Sequence, residues 1–435
     1  MDGPRGVERM LTGLLESGQQ ATLEQLPALV ARHAPQAGIE EVLIYLADLQ
    51  QNTLRRLTGH GGGAPRCADG AAPAELRIDS TYAGRAFQEV RILHKPDESG
   101  MGCWWVPLLN GTERLGVLRV RAGGDGEEHG GEIRQLASLV ALLVVSKRSY
   151  SDCYPRLVRS RPMNVAAEML WRLMPPLTFS NREVTISGVL EPAYEIGGDA
   201  FDYAVDDDAV HLSIFDAMGH DLAAGLTANL TLAACRNLRR QGLDLASNSK
   251  GIEALLLEEF GHATRFVTAI LADFDLRTGV LTWVNRGHHP PVLIRGGRWI
   301  STLDCPPAHP LGLGLDMPVT VCSEQLEPGD RLLLYTDGII EAGGSEGKEF
   351  GLPRFVEFIL RHSASRLPVP ETLRRLIKDV LAHHEGRLQD DATVLLTEWH
   401  GRAEPEVRQE LLGQYAIPNR SCSALPEGRM ARSQS

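Results

Sequence analysis

Apolar residues recur along this chain in two periods, and the switches between them outline its elements. Leu23, Leu26, Leu29 and Val30 fall at helical spacing and predict a helix over Thr22–His33. Val42–Leu49 is strand-like, and Gly59–Gly63 with Pro65 breaks the chain. Trp104–Leu109 and Leu115–Val120, separated by the polar turn at Asn110-Gly111, predict a hairpin. An apolar helix over Glu132–Lys147 closes this first stretch. Pro155 and Pro162 interrupt the next one. Met163–Met174 then carries Val165, Met169, Leu170 and Leu173 on one side, with Trp171 adjacent, until Pro175-Pro176 stops the helix.

Beyond residue 181 the pattern is mixed. Strands are predicted at Val184–Leu190, Val210–Phe215, Phe266–Phe274, Val280–Val284, Val292–Ile294, Arg331–Tyr335 and Thr393–Glu398. Helices are predicted at Ala223–Arg240, Ser249–Phe260, Leu352–His362 and Pro370–His384. Turns at Arg277-Thr278-Gly279 and Gly296-Gly297 join neighbours, so the sheets should be largely antiparallel. From Gly401 periodicity is lost, and a disordered polar tail over 401–435 is expected. The organisation predicted is a unit over 1–150, a linker with an amphipathic helix over 151–180, an α+β domain over 181–400, and the tail.

Composition narrows the function classes. A chain of 435 residues is long for one domain, and 43% hydrophobic content is enough for true cores. A formal net charge of −12 argues against a broad nucleic-acid or anionic-membrane surface. No apolar run approaches the roughly 18 residues needed to span a bilayer, the longest being Leu139–Val145. Met1-Asp2-Gly3-Pro4-Arg5 lacks a hydrophobic signal region, so a cytoplasmic location is expected. The seven cysteines are scattered and never spaced as CxxC, so free thiols or buried small hydrophobes are expected rather than a disulfide framework or a zinc site.

Four acidic stations stand where apolar runs stop and turns begin: Gly197-Gly198-Asp199, Phe215-Asp216-Ala217, Tyr335-Thr336-Asp337-Gly338 and Asp390-Asp391. Taken singly each has a plain structural reading. Asp216 would cap the helix starting near Ala223, the glycine-flanked aspartates would make turns, and Asp390-Asp391 would form a solvated loop. Brought together they would repel, about 4 kcal/mol for one pair at 4 Å and an effective dielectric near 20. Such a cluster is tolerable around cations, and an all-oxygen donor set favours Mg²⁺ or Mn²⁺. Asp202, three residues past Asp199, is a candidate for outer support. No credible set for a covalent nucleophile is read, and no Gly-Lys-Ser/Thr follows Gly59–Gly63.

Two resemblances follow. Trp104-Trp105-Val106-Pro107-Leu108 with Glu113–Leu118, and the order of elements around them, resemble the end of a GAF sensory domain. That implies a small-molecule ligand or a dimerisation role. Residues 165–400 resemble the bacterial SpoIIE/RsbU-type branch of the PP2C (PPM) protein serine/threonine phosphatases. The matching stretches are Glu195–Asp199 with Asp202, Asp216-Ala217-Met218-Gly219-His220, Phe266–Ala269, Val284-Asn285-Arg286-Gly287-His288, Pro328–Arg331 with Tyr335–Gly338, and Asp390-Asp391-Ala392-Thr393-Val394.

This second resemblance implies a fold of two packed, mostly antiparallel sheets flanked by helices, and a site holding two Mn²⁺ or Mg²⁺ ions. Asp216 would bridge the ions, with Asp337, one of Asp390 and Asp391, and the Ala217 carbonyl as further ligands and Asp199 acting directly or through water. His220 and His288 would contact phosphate or protonate the leaving oxygen, or else bond backbone. The chain departs from many relatives at Gly219-His220-Asp221, where a glycine is usual at the third position. The resemblance further implies hydrolysis of phosphoserine or phosphothreonine by activated water, a phosphorylated STAS-type anti-sigma-factor antagonist as substrate, and a homodimer. A catalytically silent scaffold and a hydrolase of small phosphoesters are the rival readings.

Overall fold

The computed structural model describes residues 3–59, 72–96, 102–123, 126–195, 197–261, 265–297, 299–339, 351–363, 368–383, 388 and 390–401. The tail expected to be disordered lies outside these.

The N-terminal half runs α1 (Gly3–Gln19), α2 (Leu26–His33), β1 (Ile39–Ala47), β2 (Thr53–Arg56), β3 (Glu75–Arg77), α3 (Tyr82–Glu89), β4 (Leu93–Pro96), β5 (Gly102–Asn110), β6 (Glu113–Ala122) and α4 (Gly126–Arg148). Its strands form one antiparallel sheet in the order β3-β2-β1-β6-β5-β4. Period-two alternation sorts the side chains. Val42, Ile44 and Leu46 pack with Trp104, Val106 and Leu118 beneath α1, α2 and α4. Tyr45 and Val117 turn the other way, onto Phe87 of α3. Helix α1 was not predicted, although Val7, Met10 and Leu14 carry its buried stripe.

The chain continues through α5 (Cys153–Val158), α6 (Val165–Leu173), β7 (Thr178–Ser180), β8 (Val184–Glu191), β9 (Asp199–Val205), β10 (Ala209–Ala217), α7 (Leu222–Arg240), α8 (Leu245–Phe260), β11 (Val267–Asp275), β12 (Val280–Arg286), β13 (Val292–Arg295), β14 (Trp299–Thr302), β15 (Cys322–Gln325), β16 (Arg331–Tyr335), α9 (Leu352–Ser363), α10 (Val369–His383) and β17 (Ala392–Trp399). Two sheets result, β15-β12-β11-β10-β9 and β14-β13-β16-β17-β8-β7, and every strand pair in them is antiparallel. Their facing sides share one core, with Phe201, Ile214 and Ile270 from one sheet meeting Ile186, Leu334 and Leu395 from the other. Helices α9 and α10 cover the outer face of the second sheet through Phe355, Ile359, Leu373 and Leu376. No helix among the described residues is long and apolar enough to cross a membrane.

Two expectations need correction here. Cys305 and Cys322 are bonded to each other, with their Cα atoms 5.9 Å apart. They stand 17 residues apart, and only the return of the chain onto β15 brings them together, which residue spacing does not reveal. Asp202 is no outer support for the acidic cluster. It is fully buried and bonds Arg236 at 2.6 Å and Arg239 at 3.0 Å, tying β9 to α7.

The two halves are joined by charge. Arg114 of β6 reaches Glu371 of α10 at 2.9 Å with both side chains buried. Arg374 bonds Asp79 at 2.7 Å, and Lys378 also bonds Asp79. Gln50 donates to Glu191, at the end of β8, at 2.9 Å.

Candidate active site

Strand ends carry the acidic residues to one edge. Asp199 opens β9 and pairs in register with Asp216, which pairs on its other side with Thr268 of β11. In the second sheet Asp337 follows β16, and Asp390-Asp391 precede β17. The two sheets are stitched at this edge by Thr336. Its hydroxyl donates to Asp199 Oδ2 at 2.6 Å, and its oxygen accepts from the Thr393 amide at 2.9 Å.

Glycines allow the approach. A Cβ on Gly198 would fall 2.2 Å from the Ala217 carbonyl oxygen, and one on Gly197 would fall 2.4 Å from His220 Cα. The Gly-Gly pair therefore lets backbone pack on backbone, with the Ala217 carbonyl lying over Gly198. Gly338 does the same against the Asp391 carbonyl, 2.0 Å from where its Cβ would stand.

Asp391 and Asp390 divide their roles. Asp391 is buried, and its Oδ2 accepts from the amides of Gly197 at 2.7 Å, Gly198 at 2.8 Å and Asp199 at 3.3 Å. That carboxylate is committed to shaping the loop. Asp390 is exposed, and its charge acts on both Asp216 and Asp337. Asp390 Oδ1 accepts from the Asp391 amide at 2.8 Å, so its Oδ2 is the oxygen that could meet a cation.

Electrostatics report the crowding. Burial, then the charges of Asp337, Asp390 and Asp391, push Asp216 up to about 7. Burial, then Asp216 and Asp391, raise Asp199 well above the carboxylate range. Asp337 is raised by burial and by Asp390, and His289 opposes the shift. Carboxylates that penalise one another's ionisation fit a hard cation, whose charge would cancel the penalty. Among the described residues, however, no three His, Cys, Asp or Glu side chains are gathered as a ligand cage. The fit lies in charge and donor chemistry; the ligand geometry is not closed.

The helix cap near this edge is Asp221. Its side chain accepts from the Ala224 amide at 2.8 Å and starts α7, leaving Asp216 outside the helix. The residue that departs from the family pattern therefore has a structural job. His220 is exposed on the turn between Asp216 and α7. His288 takes the backbone-bonding alternative. It is buried, its Nε2 faces the Tyr335 carbonyl at 3.0 Å, and its Nδ1 faces the Thr268 hydroxyl at 2.7 Å. A carbonyl only accepts, so Nε2 carries the proton and Nδ1 accepts from Thr268. Burial, reinforced by neighbouring His289, depresses His288 to about 3, which keeps it neutral. Both nitrogens are in use, so His288 positions Thr268 and the end of β16 rather than meeting phosphate. His289, given no role from sequence, stacks on Tyr335 at 5.7 Å and acts on Asp337.

Residues 206–400 match the family model described as Stage II sporulation protein E (SpoIIE). The likeness covers this segment, a little under half of the chain. The match begins after Asp199. Among curated relatives, the chain is similar to phosphoserine phosphatase RsbU of Bacillus subtilis (strain 168), with 22% identity over 240 residues, covering 54% of this chain and 69% of that protein. It is also similar to phosphoserine phosphatase RsbP of the same organism, with 27% identity over 169 residues, covering 38% of this chain and 42% of the relative. A solved structure of RsbU and RsbW domains from Mycobacterium tuberculosis aligns with 21% identity and a TM-score of 0.46, covering 56% of this chain and 71% of that one. The chain thus spans about two thirds of RsbU and under half of RsbP.

Proposed function

We propose that this chain is a divalent-cation-dependent phosphatase that hydrolyses phosphoserine or phosphothreonine in a protein. The observation that carries the reading is the convergence of Asp199, Asp216, Asp337 and Asp390 on one edge of two packed sheets, where burial and then neighbouring carboxylates raise Asp199, Asp216 and Asp337. Asp216, Asp337 and Asp390, with Asp199 and the Ala217 carbonyl, would hold Mn²⁺ or Mg²⁺. Bound there, two such ions supply an activated water and neutralise charge on the phosphoryl group. The chain's own residues fix the frame. Asp391 holds three consecutive amides, Thr336 orients Asp199, and His288 holds Thr268 beside Asp216. Exposed His220 would be the side chain to meet the phosphoryl group or its leaving oxygen.

The substrate we infer is a phosphorylated STAS-type anti-sigma-factor antagonist, as the motifs and the similarity to RsbU and RsbP support. The N-terminal half is read as a GAF-like sensor, consistent with its six-stranded antiparallel sheet clad by helices on both faces. Its input would reach the acidic edge through the segment before Asp199. There Asn164 N–H donates to the Tyr194 carbonyl at 2.9 Å, and Trp171 Nε1–H to the Ala193 carbonyl at 2.7 Å. Removing residues 1–160 should then change the cation requirement and kcat, and unchanged values would sink this route.

The deciding experiment is p-nitrophenyl phosphate hydrolysis with Mn²⁺ by the full chain and by Asp216→Asn. Losing a hydrogen-bond partner of a metal ligand commonly costs about 10–100-fold, so losing a ligand should cost at least that. Turnover that survives the substitution or a chelator would refute the reading. A panel of phosphorylated antagonists beside unrelated phosphoproteins then tests the substrate class.

A further inference from the structure

A cleft of about 360 Å³ opens between the N-terminal half and the segment that joins it to the phosphatase domain. Its volume is within the roughly 300–1,000 Å³ usual for small-molecule sites. None of the five clustered aspartates lines it. Leu115, Val158, Met163, Trp171 and Met174 give it an apolar interior, and arginines stand around them.

Charge accounting identifies what the arginines leave over. Arg148 is matched by Glu113 at 2.5 Å, and Arg159 by Glu168 at 2.6 Å. Arg114 is spent on Glu371. Asp48, also in the wall, turns its Oδ1 to the amides of Asn52 and Thr53. Arg172 differs. It donates to the Ser149 carbonyl at 3.0 Å, and Glu168, already bonded by Arg159, is 3.9 Å away. With its side chain 55% exposed, Arg172 is the wall's least neutralised cation.

We propose that this cleft binds a small molecule with an apolar body and a single anionic group, the body against Trp171 and Met163 and the anion at Arg172. Apolar burial supplies affinity and the guanidinium supplies orientation. The site is consequential by position. Trp171 lines the cleft with its ring while its Nε1–H holds the Ala193 carbonyl, six residues before Asp199. The proposal stands independently of the phosphatase reading.

The test uses two fluorescent probes on the full chain, 8-anilinonaphthalene-1-sulfonate and its uncharged counterpart N-phenyl-1-naphthylamine. Both should bind saturably at one site. Arg172→Glu, at an exposed position, should weaken the sulfonate at least tenfold and leave the neutral probe within twofold. Met163→Trp, which fills the interior, should abolish both while melting at the wild-type temperature. The proposal is overturned if neither probe saturates, or if Arg172→Glu shifts both probes alike or shifts neither. It is equally overturned if a folded Met163→Trp variant keeps either Kd.

Discussion

The buried charge pair between the two halves offers the most exacting test of this structure. Glu371 has no exposed surface, and its carboxylate accepts four bonds: from Arg114 Nη1 at 2.9 Å, Arg374 Nε at 2.8 Å, Arg374 Nη2 at 2.8 Å and Arg375 Nε at 2.9 Å. Burial alone would raise its pKa, but Arg374 and Arg114 outweigh burial and hold it below the ordinary glutamate value. Arg114 is also shifted down, because burial dominates and it has one carboxylate against that cost. The ends of the pair are therefore unequal. Glu371 has cations to spare; Arg114, besides Glu371, has the Gln51 side chain at 2.7 Å and the face of Phe87.

Glu371→Gln should accordingly cost about 3–5 kcal/mol, the usual penalty for stranding a buried charge. Arg114→Met leaves Glu371 with Arg374 and Arg375 and should cost about 1.5–3 kcal/mol, the worth of one charge-assisted bond. In the double variant the stranded cation is gone, so the sum should fall short of additivity by about 1–3 kcal/mol. Urea unfolding at pH 7.5, followed by circular dichroism and tryptophan fluorescence, measures this. With a slope near 3 kcal/mol/M, Glu371→Gln should lower the midpoint by about 1–1.7 M. The two signals should part company as the halves uncouple. A depressed carboxylate contributes its stability above the unfolded pKa and loses it as pH falls through the folded value. The gap between wild type and Glu371→Gln should therefore close in acid. A variant within about 1 kcal/mol of wild type at pH 7.5, or an additive double variant, would refute the reasoning.

Two further predictions concern the acidic edge. Gly198→Ala places a methyl against the Ala217 and Gly219 carbonyls, at 2.2 and 2.9 Å, so backbone must move. A stability loss of about 1–3 kcal/mol with a larger fall in kcat/KM is expected, as thermal denaturation and Mn²⁺-dependent hydrolysis would show. Thr336→Val strips a donor from buried Asp199 and an acceptor from the Thr393 amide, about 1–3 kcal/mol for each group left unsatisfied. Thr336→Ser, which keeps the hydroxyl, should recover most of the loss in the same melts.

How much of this was legible from sequence depends on whether a residue's role was local. Strand β10 announces itself by alternation, β16 and β17 as short apolar runs, and the turn Arg277-Thr278-Gly279 by its residue types; all appear in the structure within two residues of their predicted ends. Helix α1 was equally legible but lies under a short, polar-flanked stripe. Strand β9 was not, because Asp199-Ala200-Phe201-Asp202-Tyr203 puts an acid at each end of its apolar core, and the acids read as turn. Both acids have tertiary explanations. Asp199 answers to Asp216 and Thr336, Asp202 to two arginines on α7.

The same distinction separates the paired acids Asp390 and Asp391. Neighbouring residues of an extended chain face opposite ways, which says that one of them leaves the site but not which. The decision comes from Gly197 and Gly198, nearly two hundred residues upstream. Their amides need an acceptor because their lack of side chains lets them pack against the Ala217–His220 turn, out of reach of a strand partner. Asp391 supplies it, and Asp390 is left facing Asp216 and Asp337. A conjunction of weak motifs can thus be read from sequence, whereas the division of labour within it follows from which backbone groups folding leaves unsatisfied.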